Sequence, residues 1–430
     1  MKYLLLGMLF AVGSAFAADE TTVEISNVRM TQDLGTRCVT VKYDLAIQNP
    51  VDSASPLTGV LIRIDVLTNT PNGYVSIGRD RIKTVTGDYS ISANSAGTKG
   101  LVTAGTDKTL VWDAKRDFPD QRLDDVKVEV RAYQPGELVF DEWKYLVIEI
   151  GTDQAQTSTY TWGLTDQTPD VYDGPSGVAW MPTASQLWFV RCPAGSFMMG
   201  SPEGAIHHQD GRPLHRVTLT QPFFMGIGAL SNHQWNRIVN YALWKDANTG
   251  VLAYNYITID ALMGANWYSS RVIDTSSIVG KIRTRSGLNV TMPTEAQWEY
   301  ACRAGSKGTF TGTDEFFTTE ADRNAYYASA FGVTYKTYNF VTSWNSRTNA
   351  WGIAGMHTSI ATWCQDTQDA VTADDAVDPC TRGASNGFVV RGPWKWGGSA
   401  TCHDYVGNGG LHHSFGTTDG YLGARLVVMP

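Results

Sequence analysis

The spacing of apolar positions changes along the chain, and that change divides it. Over residues 39–47 apolar and polar side chains alternate with period two, and residues 126–133 repeat the pattern. Such spacing puts every second side chain on one face of a β-strand. Residues 61–67 and 145–150 read as two further strands. Turn-forming clusters at 69–73 and 87–88 separate them, and no amphipathic helix stands out among them. Short strands at this spacing predict an all-β sandwich over residues 18–150. Residues 151–185 are dominated by Thr, Asp, Gln, Gly, Ser and Pro, which predicts a linker.

From residue 186 onward, short stretches of helical period appear. The string MPTEAQWEYACRAG, residues 292–305, is the most fully specified of them. Thr294 suits an N-cap, Gln297 three positions later completes a capping box, and Pro293 blocks extension backwards. Glu295 in the first turn and Arg303 in the last match the helix dipole, and Gly305 can supply a left-handed stop. Trp298, Ala301 and Cys302 share one face and are expected in the core. SNHQWNRIVNYAL, residues 231–243, opens on a second S-x-x-Q box and should bury Trp235, Ile238, Val239 and Ala242. A third helix is expected from Thr258 or Asp260 through Leu262, Ala265 and Tyr268.

Composition adds a compartment. Lys2, an apolar run to Val12 and the A-F-A at residues 15–17 have the layout of a secretory signal peptide cleaved near Ala17. The expectation is a secreted or periplasmic protein. The leading apolar run is too short to span a bilayer, and no later segment is apolar enough to do so. Losing Lys2 with the leader moves the formal net charge from −8 to −9. A mildly acidic exported chain argues against nucleic acid or an anionic membrane surface as partner. All six cysteines, Cys38, Cys192, Cys302, Cys364, Cys380 and Cys402, lie beyond the leader, too scattered for a dense disulfide scaffold. Cys364 and Cys380 are the first candidates for a bridge.

Seven strings occur in a particular order: CPAGSFMMGSPE (192–203), DGRPLHRVTLTQPFFMG (210–226), ALSNHQW (229–235), MPTEAQWEYACRAG, ADRNAYYA (321–328), NAWGIAGMHTSIATW (349–363) and YLGARLVV (421–428). In that order they resemble the formylglycine-generating enzyme (sulfatase-modifying factor) family. The resemblance implies an α+β domain of the C-type-lectin-like kind, with little regular secondary structure, over residues 186–430.

Enzymes of that family oxidise a substrate cysteine with molecular oxygen, and two of their cysteines, with four residues between them, hold copper as thiolates. Two soft sulfurs select a cuprous ion. The matching region here is VVRGPWKWGGSATCHDYVGNGG, residues 389–410. The resemblance puts Cys402 at the second cysteine and Gly397 at the first, and glycine cannot ligate copper. A copper centre is therefore not expected. The family's turn of glycine, asparagine and glutamate, which binds calcium, is matched by Thr358, Ser359 and Thr362, so its carboxylate ligand is missing. A second family calcium site begins at an asparagine matching Asn324, with the carbonyl of Ala325 beside it, and calcium stays open there. Family arginines after the cysteine are matched by His403 and Gly407.

Other candidates carry less. His207, His208, Asp210 and His215 contain metal-ligating types, but adjacent loop histidines point apart, and His412-His413 read the same way. Exposed aromatics around Trp344, Trp351, Trp394 and Trp396 could stack on sugars or anchor an interface, with Trp394 and Trp396 the named binding candidates. The expected function is therefore an exported, non-catalytic protein whose lectin-like domain binds a ligand, a glycan or a protein. The alternative is a copper-dependent oxidoreductase that converts a substrate cysteine to formylglycine through a diverged site, with Cys402 catalytic.

Overall fold

A computed structural model describes residues 21–50, 53, 56–71, 73–77, 82, 84–90, 92–94, 101–119, 125–134, 142–151, 159–166, 172–173, 179–180, 185–205, 213–239, 253–254, 257–331, 348–367, 372–382, 387–393, 406–407 and 422–430. Contacts divide the chain into two units, the first running to Lys144 and taking in residues 162–168, the second made of the remainder.

The alternating sequence of the first unit forms strands. They are β1 (Thr22–Gln32), β2 (Cys38–Gln48), β3 (Leu61–Thr70), β4 (Gly73–Ser76), β5 (Val85–Gly87), β6 (Ser92–Asn94), β7 (Gly105–Asp113) and β8 (Val126–Tyr133), with a one-turn helix α1 (Ala114–Asp117) after β7. Two antiparallel sheets result, in orders β1-β2-β7-β5 and β4-β3-β8. Val41, Tyr43 and Leu45 from one sheet and Ile62, Ile64 and Val66 from the other enter a single apolar core with Leu110 and Trp112. The period-two pattern of β2 thus does what it predicts from Val39 to Leu45, where every second residue is buried, while Ile47 is partly buried.

A cation lies in this apolar unit. Arg63, on β3, is 1% exposed. It donates to the carbonyls of Ser90 (3.1 Å) and Glu142 (2.9 Å), and it pairs with Asp166. Its guanidinium lies over the ring of Trp143 at 4.0 Å. The other oxygen of Asp166 accepts the Lys144 N–H at 3.0 Å. Residues 162–168 thereby belong to the first unit for a physical reason: they bring the carboxylate that a buried guanidinium needs.

The strand expected at 145–150 forms as β9 (Tyr145–Glu149), but its partner is β13 (Gln186–Cys192) of the second unit. The stretch expected to be a linker holds β10 (Thr161–Thr165), which pairs with β6, and a short hairpin of β11 (Tyr172–Asp173) and β12 (Ala179–Trp180). A polar composition did not preclude pairing, because the ladder bonds are made by backbone groups.

The second unit is built from short pieces. After β13 come β14 (Gly195–Met199), β15 (His215–Leu219), β16 (Phe223–Gly226), α2 (Asn232–Val239), α3 (Ile259–Met263), α4 (Trp267–Ser270), α5 (Ile278–Ser286), β17 (Val290–Thr291), α6 (Glu295–Arg303) and α7 (Glu320–Phe331). Then follow β18 (Ala361–Thr367), β19 (Ala376–Val377), β20 (Phe388–Arg391), β21 (Val406–Gly407), β22 (Leu422–Gly423) and β23 (Val427–Val428). Strands β17, β23, β16, β13 and β9 lie side by side. A second sheet runs β21-β20-β18-β22, and a third β14-β15-β19. Val190, Met225, Trp298, Cys364, Val389 and Val427 bring these sheets and α6 into one core.

Helix α6 realises its motif. Thr294 Oγ1 accepts the Gln297 N–H at 3.1 Å, and Gln297 Oε1 accepts the Thr294 N–H at 2.9 Å. The left-handed stop is taken by Ala304 (φ 46°), with Gly305 following at φ 95°. Every residue from Glu295 to Arg303 is buried, so the charged face is enclosed as well as the apolar one. Thr294→Ala should cost about 1 kcal/mol, the usual worth of an N-cap, read as a shift in the denaturation midpoint.

The other two helices differ from expectation in detail. Helix α2 begins with the predicted box, Ser231 N–H to Gln234 Oε1 at 3.0 Å, and buries Trp235 and Ile238, while Val239 is half-buried. Residues from 240, including Ala242, lie outside the described residues. The helix opened by Thr258 stops at Gly264, and α4 restarts it, so Ala265 falls in an exposed turn. Gly264 sits at φ 107°, and a Cβ there would meet the Asp274 Cβ at 2.3 Å. Only glycine fits, and continuous helix is broken there.

Candidate functional site

Strand β20 carries Arg391 into the core at its C-terminal end. Arg391 is fully buried and pairs with Glu299, one helix away. The second oxygen of Glu299 accepts from Arg303 Nε at 2.9 Å, Arg303 Nη2 at 2.7 Å and the Gly200 N–H at 2.9 Å. Arg303 donates in turn to the carbonyls of Lys307 (2.7 Å), Gly308 (2.7 Å) and Gly200 (2.9 Å). Glu295 stands 3.8 Å from Arg391 Nε, and the Trp298 ring lies 5.5 Å from the guanidinium. Burial alone pulls the Arg391 guanidinium down, but Glu299 and Glu295 outweigh it and the net shift is upward. Among the described residues the network joins Glu299 to two buried guanidiniums, while Arg391 Nε and Nη1 make no hydrogen bond.

The turn at residues 358–362 packs against α6, the helix that carries Glu299. Thr358, Ser359 and Thr362 are all buried, and Thr362 Oγ1 accepts the Trp298 indole N–H at 3.0 Å. Ser359 Oγ has no hydrogen-bond partner among the described residues. None of the three supplies a carboxylate, and the Thr362 hydroxyl is already engaged by the helix of the opening motif. Asp366, four residues further along β18, is also committed. It accepts the Glu295 N–H (2.6 Å) at the start of α6 and the Thr381 N–H (2.8 Å).

Asn324 and Ala325 lie on the exposed side of α7. Asn324 Oδ1 accepts from Arg323 Nε and Nη2 at 3.3 and 3.2 Å. Trp351 is half-buried, meeting Tyr300 edge to face at 5.0 Å, and Phe197 also meets Tyr300, at 5.1 Å. His215 is buried, with Nδ1 2.7 Å from the Pro213 carbonyl. Cys402, Gly397, Trp394 and Trp396 lie outside the described residues, as do Trp344, His207, His208, Asp210, His403, His412 and His413. Among the described residues no group of three or more His, Cys, Asp or Glu side chains is placed to hold a metal ion.

The five described cysteines are free thiols. The bridge expected between Cys364 and Cys380 is thus a correction. Cys364 is buried in the core, the chain at Cys380 is held to β18 through the Thr367 N–H and the Thr381 carbonyl at 2.9 Å, and the two thiols are not bonded to each other. Burial pushes the Cys192, Cys364 and Cys380 thiols up, away from the thiolate form. One pairing was not foreseen. Cys302 Sγ lies 3.5 Å from His357 Nε2, which also accepts the Thr311 N–H at 3.1 Å. Nothing local could reveal it, because 55 residues separate the two, and their burial keeps the thiol from solvent. Alkylation of the native protein should label Cys38 and leave Cys192, Cys302 and Cys364 unmodified until denaturant is added. Peptide mass mapping before and after unfolding checks this.

The second unit is thus a domain of short strands and helices, in which the best-specified motif is a buried helix cross-linked by charge. The family model described as "Sulfatase-modifying factor enzyme 1-like domain" matches residues 181–428, more than half of the chain. The chain belongs to that family. It is also similar to the solved structure of PvdO from Pseudomonas aeruginosa, at 18% identity and a TM-score of 0.38, covering 61% of this chain and 100% of that one. No curated protein matches it.

Proposed function

We propose that the protein is exported and that its family domain, of the C-type-lectin-like kind, binds a ligand, a glycan or another protein, without catalysing cysteine oxidation. What carries this reading is Gly397, which the resemblance aligns with the first copper-binding cysteine of the family's enzymes. Two features support it. Cys364 and Cys380, the thiols nearest in sequence to Cys402 that could replace the missing one, are held toward the protonated form by burial. The turn at Thr362 uses its hydroxyl to seat Trp298 rather than a cation. In this reading the first unit is an all-β sandwich that carries the binding domain, Trp394 and Trp396 supply stacking surfaces, and mature protein begins near Ala18. Calcium enters only at Asn324 and the Ala325 carbonyl, where Arg323 must first release the amide oxygen.

The second reading, a copper-dependent oxidoreductase forming formylglycine through a diverged site, rests on family membership and on Cys402. One paired experiment separates the two. Full-length protein is incubated with copper, reductant, oxygen and a cysteine-containing peptide, and the same preparation is tested on immobilised glycans. The proposal expects retention on the glycan surface and no aldehyde by mass spectrometry. Aldehyde that disappears in Cys402→Ala would establish the oxidoreductase instead.

A further inference from the structure

We draw no further inference here: the strongest candidate, the row of rings formed by Phe197, Tyr300 and Trp351 at the rim of the second unit's core, is an apolar face with nothing among the described residues to show what covers it.

Discussion

Glu299→Gln should lower the stability of the second unit by about 3–5 kcal/mol, the usual cost of removing one partner from a buried ion pair. The side chain is wholly buried and stands between two buried guanidiniums, those of Arg303 and Arg391. An amide keeps the shape but loses the charge, and its NH2 group faces donors where the carboxylate oxygen accepted several. Two cations then share the core, and among the described residues the nearest remaining carboxylate is Glu295, 3.8 Å from Arg391 Nε. Urea unfolding of Glu299→Gln, Arg391→Met and the double variant measures the effect. The double variant should be less destabilised than the two single losses added together, because removing Arg391 relieves part of the uncompensated charge. Additive losses, or a Glu299→Gln cost below about 1 kcal/mol, would contradict the network described.

The second large effect is expected at Arg63. Arg63→Met takes away the donors to Ser90 and Glu142 and leaves the Asp166 carboxylate, 11% exposed, without its cation. A loss of about 3–5 kcal/mol in the first unit follows. The same pairing sets where the unit ends. A fragment of residues 18–150 lacks Asp166 and should give no cooperative transition, while Asp166→Asn in the full chain should show the destabilisation without truncation. A fragment ending at 150 that unfolds as sharply as the first unit of the intact chain would overturn this assignment of residues 162–168.

These two clusters show what was legible in the sequence and what was not. The capping box of α6, the alternation of β2 and the burial of Trp298 depend on neighbours within a few positions, and local pattern revealed them. The burial of Glu299 and Arg303 was hidden, since the partner that justifies it, Arg391, lies 92 residues beyond Glu299. The groups that enclose them, Gly200 beside Arg303 and Arg391 beside Glu299, come from segments far away in sequence. Strand β9 was visible as a strand but not as part of the second unit, because alternation says which face is apolar and nothing about which strand lies alongside. The break at Gly264 had a local signal in the glycine itself. The reason it cannot be bridged, the approach of Asp274, is tertiary. Of the candidate site, the family motifs were legible, but Cys402 and Gly397 lie outside the described residues.

The most direct test of the central claim is titration of the purified full-length protein with cuprous ion under reducing, anaerobic conditions, in competition with a chelator of known affinity. With glycine at position 397, and the Cys364 and Cys380 thiols pushed away from the thiolate form by burial, the expected result is no stoichiometric high-affinity copper. One equivalent bound tightly in the wild type and lost in Cys402→Ala would contradict it, and would return this chain to the oxidoreductases of its family.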